Sequence, residues 1–123
     1  MTPDFEKAAQ KAKELREAGV ECPLQILKAL AHVESASFAA ASSRYGINRE
    51  VLLSMFDDGN QDAITMYRNG SYLVIYNQEL PCKTIRHAVA RELGHIVMEH
   101  DGSRPEDVRM EEAEFFAKEF LKV

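Results

Sequence analysis

Cysteine is almost missing from this sequence: Cys22 and Cys82 are its only two, far apart along the chain. Two such thiols make no disulfide framework, and they are read here as belonging to a reducing compartment. Long apolar runs are missing too. No stretch approaches the roughly 20 consecutive apolar residues that a membrane-spanning helix requires. The opening residues, MTPDFEKAAQ, are charged almost at once and lack the apolar segment of a secretory leader. The expected setting is therefore the cytoplasm, with no membrane association. Basic residues are not in excess: Lys and Arg number 15 against 20 Asp and Glu, for a formal net charge of −5, and they are scattered. That balance gives no global pull toward DNA or RNA, so no direct nucleic acid binding is expected. Repeats, linkers and low-complexity tracts are absent, and 123 residues fit one domain spanning 1–123. A chain of this length buries one respectable core without disulfides.

The apolar residues that are present carry clear periodicity. Thr2-Pro3-Asp4 offers an N-cap candidate, a proline for the first helical position and an early acid. Phe5, Ala8, Ala9, Ala12 and Leu15 follow at helical spacing, and Gly19 closes that helix. Cys22-Pro23 starts a short second helix carrying Leu24, Ile26, Leu27 and Leu30. The stretch 32–38 is ambiguous, and its first half reads as a short edge strand. Ser37 caps a small helix that stops at Gly46, and Asn48 caps another over REVLLSMF, ended by Asp57-Asp58-Gly59-Asn60. AITMYRNGSYLVIYN is a hairpin, with Asn69-Gly70 as a two-residue turn between β-branched and aromatic flanks. Ile85, Ala88, Val89, Leu93, Ile96 and Val97 form one apolar stripe on a helix of about 82–100, and Asp101-Gly102-Ser103-Arg104-Pro105 breaks it. A last helix runs from about Glu106 to Leu121, with Ala113, Phe116, Ala117 and Phe120 on one side. The class is α+β, with helices packed on a small antiparallel sheet.

Arg91-Glu92-Leu93-Gly94-His95 carries the most chemical information. A zincin helix presents His-Glu-x-x-His, because residues four apart share a face and can grip one zinc ion, while the glutamate activates the metal-bound water. Here Glu92 and His95 stand in register, but the first histidine is Arg91. A guanidinium is permanently charged and has no lone pair for a metal. Neighbouring histidines do not repair the gap on a straight helix. His87 lies eight residues from His95, about 12 Å along the axis, and His100 lies five residues on, roughly 140° around it. A carboxylate-rich alternative would use Glu92, His95 and Glu99 at i, i+3 and i+7, with Glu112 from the last helix.

Several stretches together resemble the ImmA/IrrE family of zinc metallopeptidases. SYLVIYNQELPCKTIRHAVARELGHIVMEH is similar to that family's strand, Asn turn and active-site helix. Glu112-Ala113-Glu114-Phe115-Phe116-Ala117, followed by Phe120-Leu121, resembles its Glu-Ala-Asn-x-Phe-Ala-x-x-Leu-Leu helix. VECPLQILKALAHV and SRYGINREVL resemble its Pro-led second helix and short helical hairpin. The resemblance implies a zincin-like fold, His95 and Glu112 as zinc ligands and Glu92 as general base. It also implies a phage or mobile-element setting, with a helix-turn-helix repressor or similar regulator as substrate or partner. Tyr72 and Tyr76, two apart on one strand face, are candidates for lining a substrate cleft. Arg91 departs from the pattern, and Glu114 stands where Asn or Asp is usual. The expectation is therefore a metallopeptidase-like protein that acts on or binds a regulatory partner, with its zinc and its peptidase activity put in question by Arg91 and zinc absence favoured over presence. The alternative is a catalytically inactive pseudo-peptidase that serves as a protein-binding regulatory module. Two arrangements of that site are open: Arg91 pairs with Glu112 across it, or Arg91 reaches solvent while His95 bonds a backbone carbonyl.

Overall fold

The computed structural model describes residues 2–19, 22–48, 50–51, 62–68, 70–100 and 104–121. Among them are five helices and three strands, in the order α1 (Phe5–Glu17), α2 (Pro23–Ala29), β1 (Val33–Ser37), α3 (Phe38–Tyr45), β2 (Ala63–Arg68), β3 (Ser71–Tyr76), α4 (Cys82–Val97) and α5 (Glu106–Phe120). Most of the helix expected over REVLLSMF, and the first three residues of the breaker Asp101-Gly102-Ser103-Arg104-Pro105, lie outside the described residues; the Asn48 side chain does accept from the Glu50 N–H at 2.7 Å.

Local chemistry accounts for most boundaries. The cap of α1 is Asp4 rather than Thr2: its carboxylate accepts from the Lys7 N–H at 3.0 Å, satisfying a donor that a helix start leaves free. Pro23 opens α2, where the missing N–H costs nothing. Ser37 caps α3 through the Ala40 N–H at 3.1 Å, and Gly46 ends it in the left-handed conformation at φ 66°.

The sheet order is β1-β3-β2. The hairpin registers Arg68 opposite Ser71 and Tyr67 opposite Tyr72, as a two-residue turn dictates. β1 lies at an edge as expected, but it runs parallel to β3. The sheet is therefore mixed rather than antiparallel, because β1 reaches β3 through a long connection instead of a hairpin.

β3 divides the molecule into layers. Val74 faces the main core with Leu27, Val89, Leu93 and Phe116. Ile75 faces the other side, where α3 contributes Phe38 and Ala41. The successive pair follows the two-residue period of a strand. α4 is the central helix, buried at Ala88, Val89, Ala90, Glu92, Leu93, Gly94 and Ile96. It packs on α2, α5, β2 and β3, while α1 covers α5. The α4–α5 crossing is close because Gly94 has no side chain. A Cβ there would stand 2.9 Å from Phe116 Cδ1 and 3.2 Å from both Ala113 Cα and its carbonyl oxygen.

Candidate functional site

Val108, Glu112, Phe116 and Phe120 recur every fourth residue on the buried face of α5. One position of this core stripe is thus a carboxylate, and Glu112 is fully buried. An ionised side chain there requires compensating charge and hydrogen bonds. Arg104 supplies the charge through a two-pronged contact: Nε donates to Oε1 at 3.1 Å and Nη2 to Oε2 at 2.8 Å. The Asp4 N–H donates to Oε2 at 2.8 Å, and His100 Nε2 lies 3.0 Å from Oε1. Arg104 is itself anchored, since its carbonyl accepts from Arg109 Nε at 3.1 Å.

His100 arrives at Glu112 by a chain reversal. α4 ends at Val97, not at residue 100 as the sequence suggests. The Glu99 N–H bonds the Ile96 carbonyl at 3.0 Å and the His100 N–H bonds the His95 carbonyl at 2.9 Å. These are the paired bonds of a Schellman termination, with Glu99 left-handed at φ 56°. His100, placed away from His95 by the straight-helix argument, is folded back until the two Nδ1 atoms stand 2.8 Å apart.

Hydrogen-bond chemistry orders this chain of groups. A guanidinium-bound carboxylate only accepts, so His100 Nε2–H donates to Glu112. A neutral His100 then presents the Nδ1 lone pair, and His95 Nδ1–H donates to it. His95 Nε2 remains facing Glu92 Oε2 across 3.8 Å, too long for a hydrogen bond. Glu92 is buried, and its Oε2 has no hydrogen-bond partner. Desolvation pushes the Glu92 carboxyl up to about 8, with Arg91 opposing. Desolvation also pushes His95 down to about 3, helped by His100, Arg109 and Arg91. His100 is lowered by burial, with Glu112 opposing. At neutral pH the His95–Glu92 contact is thus between two uncharged groups.

Arg91 takes no part in this chain. Its Nη1 lies 4.0 Å from Glu114 Oε2, and the other oxygen of Glu114 meets His87 Nε2 at 2.9 Å. The cation on Glu112 is therefore Arg104, not Arg91, and His95 bonds His100 rather than a backbone carbonyl. The acid at position 114, where the resemblance leads one to expect Asn or Asp, is thus the ion-pair partner of Arg91. Glu99 is exposed beyond the helix end and does not extend a carboxylate cluster. Tyr72 and Tyr76 share a face, as strand periodicity requires, and both pack against the main core, with Tyr72 in ring contact with Tyr67 at 4.9 Å. Cys22 and Cys82 are exposed free thiols.

The residues do not fit a zinc ion as they stand. Among the described residues no group of three or more His, Cys, Asp or Glu side chains converges to hold a metal. Glu112 is committed to Arg104, Asp4 and His100, and His95 Nδ1 to His100, while His95 Nε2 faces only the buried Glu92 carboxyl. Sequence reasoning weighed His100 and set it away from the site, and it missed Arg104. The weak signal for the first was Glu99-His100 directly after the helix stripe; for the second it was an arginine between a breaker and Pro105. Also among the described residues, no helix is long and apolar enough to cross a membrane. No family model, curated protein or solved structure matches the chain.

Proposed function

We propose that this chain is a metallopeptidase-like protein of the ImmA/IrrE type whose site works without zinc. In this reading it binds a regulatory protein, of the helix-turn-helix repressor class, in the cytoplasm and does not cleave it. The resemblance of the sequence supplies the scaffold and the phage or mobile-element setting. The observation that carries the loss of catalysis is the state of Glu112, whose two oxygens are both held by the Arg104 fork. With the Asp4 N–H and His100 Nε2 on the remaining positions, all four acceptor sites of the carboxylate are taken, and an adjacent guanidinium repels a divalent cation. Glu92 supports the same reading, because burial favours its protonated form at neutral pH and leaves Oε2 without a hydrogen-bond partner, and a protonated carboxyl cannot take a proton from water.

The test is a binding and cleavage assay in parallel. The purified protein is incubated with a panel of helix-turn-helix repressors, with added zinc and with EDTA. The expected outcome is association that EDTA does not weaken and repressor mass that does not change. Cleavage that requires zinc and disappears in Glu92→Gln would establish the active peptidase instead.

A further inference from the structure

Arg91 is the visible defect of the signature, and repairing it would regenerate His-Glu-x-x-His. The geometry points to a second, independent block. We infer that His100 and Arg104 together fill the position that a cation bridging His95 Nδ1 and Glu112 would need. Zinc exclusion is then built into this site twice. The inference rests on the zincin-like reading of the scaffold proposed above.

Two donors of one zinc ion lie at about 2.0–2.2 Å from it, and so within about 4 Å of each other. Between His95 Nδ1 and Glu112 Oε1 stand a whole imidazole ring and two hydrogen bonds, of 2.8 and 3.0 Å. His100 cannot swing aside freely, since its N–H closes the helix end on the His95 carbonyl and its side chain is only 2% exposed. Arg104 adds an electrostatic block. Its charge already neutralises Glu112, so an incoming divalent cation would meet a guanidinium bound to both of its target oxygens. Neither group depends on Arg91, which points toward Glu114. The two blocks are therefore separable by mutation.

The experiment compares zinc per chain, by elemental analysis after EDTA stripping and zinc dialysis, in the natural protein, Arg91→His, and Arg91→His/His100→Ala/Arg104→Gln. The expected result is no stoichiometric zinc in the first two. The triple variant takes up near one zinc per chain and loses it on a further His95→Ala. Its melting temperature rises by about 10 °C with zinc, as the metal replaces the missing counter-charge of Glu112. Arg91→His alone binding near one zinc per chain, lost on His95→Ala, would overturn the inference while leaving the zinc-free reading of the natural protein intact. A folded triple variant that binds none would overturn it as well. Stoichiometric zinc in the natural protein would overturn the underlying reading itself. Should the triple variant not fold by circular dichroism, Arg91→His decides the matter alone, because that substitution alters only a partly exposed ion pair.

Discussion

Glu92 and His95 sit one turn apart on α4, and burial drives their titrations in opposite directions. The Glu92 value of about 8 stands above its ordinary 4.5, so the folded chain keeps a proton that the unfolded chain gives up. Stability contributed by this group is full below about 4.5 and is lost as pH rises toward about 8. His95 moves from 6.5 to about 3, so below pH 6.5 the unfolded chain takes a proton that the folded one refuses. Its contribution is lost as pH falls through that window, and His100 acts in the same sense. Between 4.5 and 6.5 the histidines oppose the loss through Glu92, and above 6.5 that loss runs without their opposition. Glu92→Gln should remove the upper limb. Urea titrations should show its stability relative to the natural protein growing by about 2 kcal/mol between pH 6 and pH 8. Parallel pH profiles would mean that Glu92 is already ionised in the folded chain.

Two positions decide how α4 ends and what it touches. Gly94→Ala should destabilise although alanine is the better helix former by about 1 kcal/mol. The new methyl group would meet Phe116 and the Ala113 backbone at distances that force α4 and α5 apart, an overpacking cost of about 1–3 kcal/mol. Glu99→Gly should do the reverse. It relieves a left-handed residue and should gain about 1 kcal/mol in denaturant melts while keeping His100 in place. The same termination explains what could and could not be read from the sequence. Asn69-Gly70, Pro23, Ser37 and Gly46 punctuate the chain with residues whose backbone or side-chain chemistry announces a turn or a cap, and the elements beside them fell where expected. Glu99 announces nothing. A non-glycine residue in a position that favours glycine hid the end of α4, and with it the return of His100. The parallel pairing of β1 was equally hidden, because strand direction depends on a long connection rather than on local pattern.

At the scale of the molecule, the Glu112 network ties together parts of the chain that are distant in sequence: Asp4 before α1, His100 and Arg104 between α4 and α5, and Glu112 within α5. The family resemblance singled out Glu112 as a ligand candidate but gave no hint of its burial or counter-charge, since long-range ion pairs leave no local signal. Arg104→Gln strands a buried carboxylate and should cost about 3 kcal/mol or more. Arg104→Gln/Glu112→Gln should recover about 2 kcal/mol of that loss, because the uncompensated charge is gone. Thermal melts of the four proteins of this cycle measure the coupling, and additivity would show that the pair contributes nothing beyond its separate parts. The account as a whole turns on an arginine having taken the place of a metal in a peptidase-like scaffold. Its most direct test is the zinc content of the natural protein purified from zinc-replete culture, beside His95→Ala prepared the same way. The account predicts a small fraction of one zinc per chain in both, with no difference between them; near one zinc per chain in the natural protein, lost in His95→Ala, would contradict it.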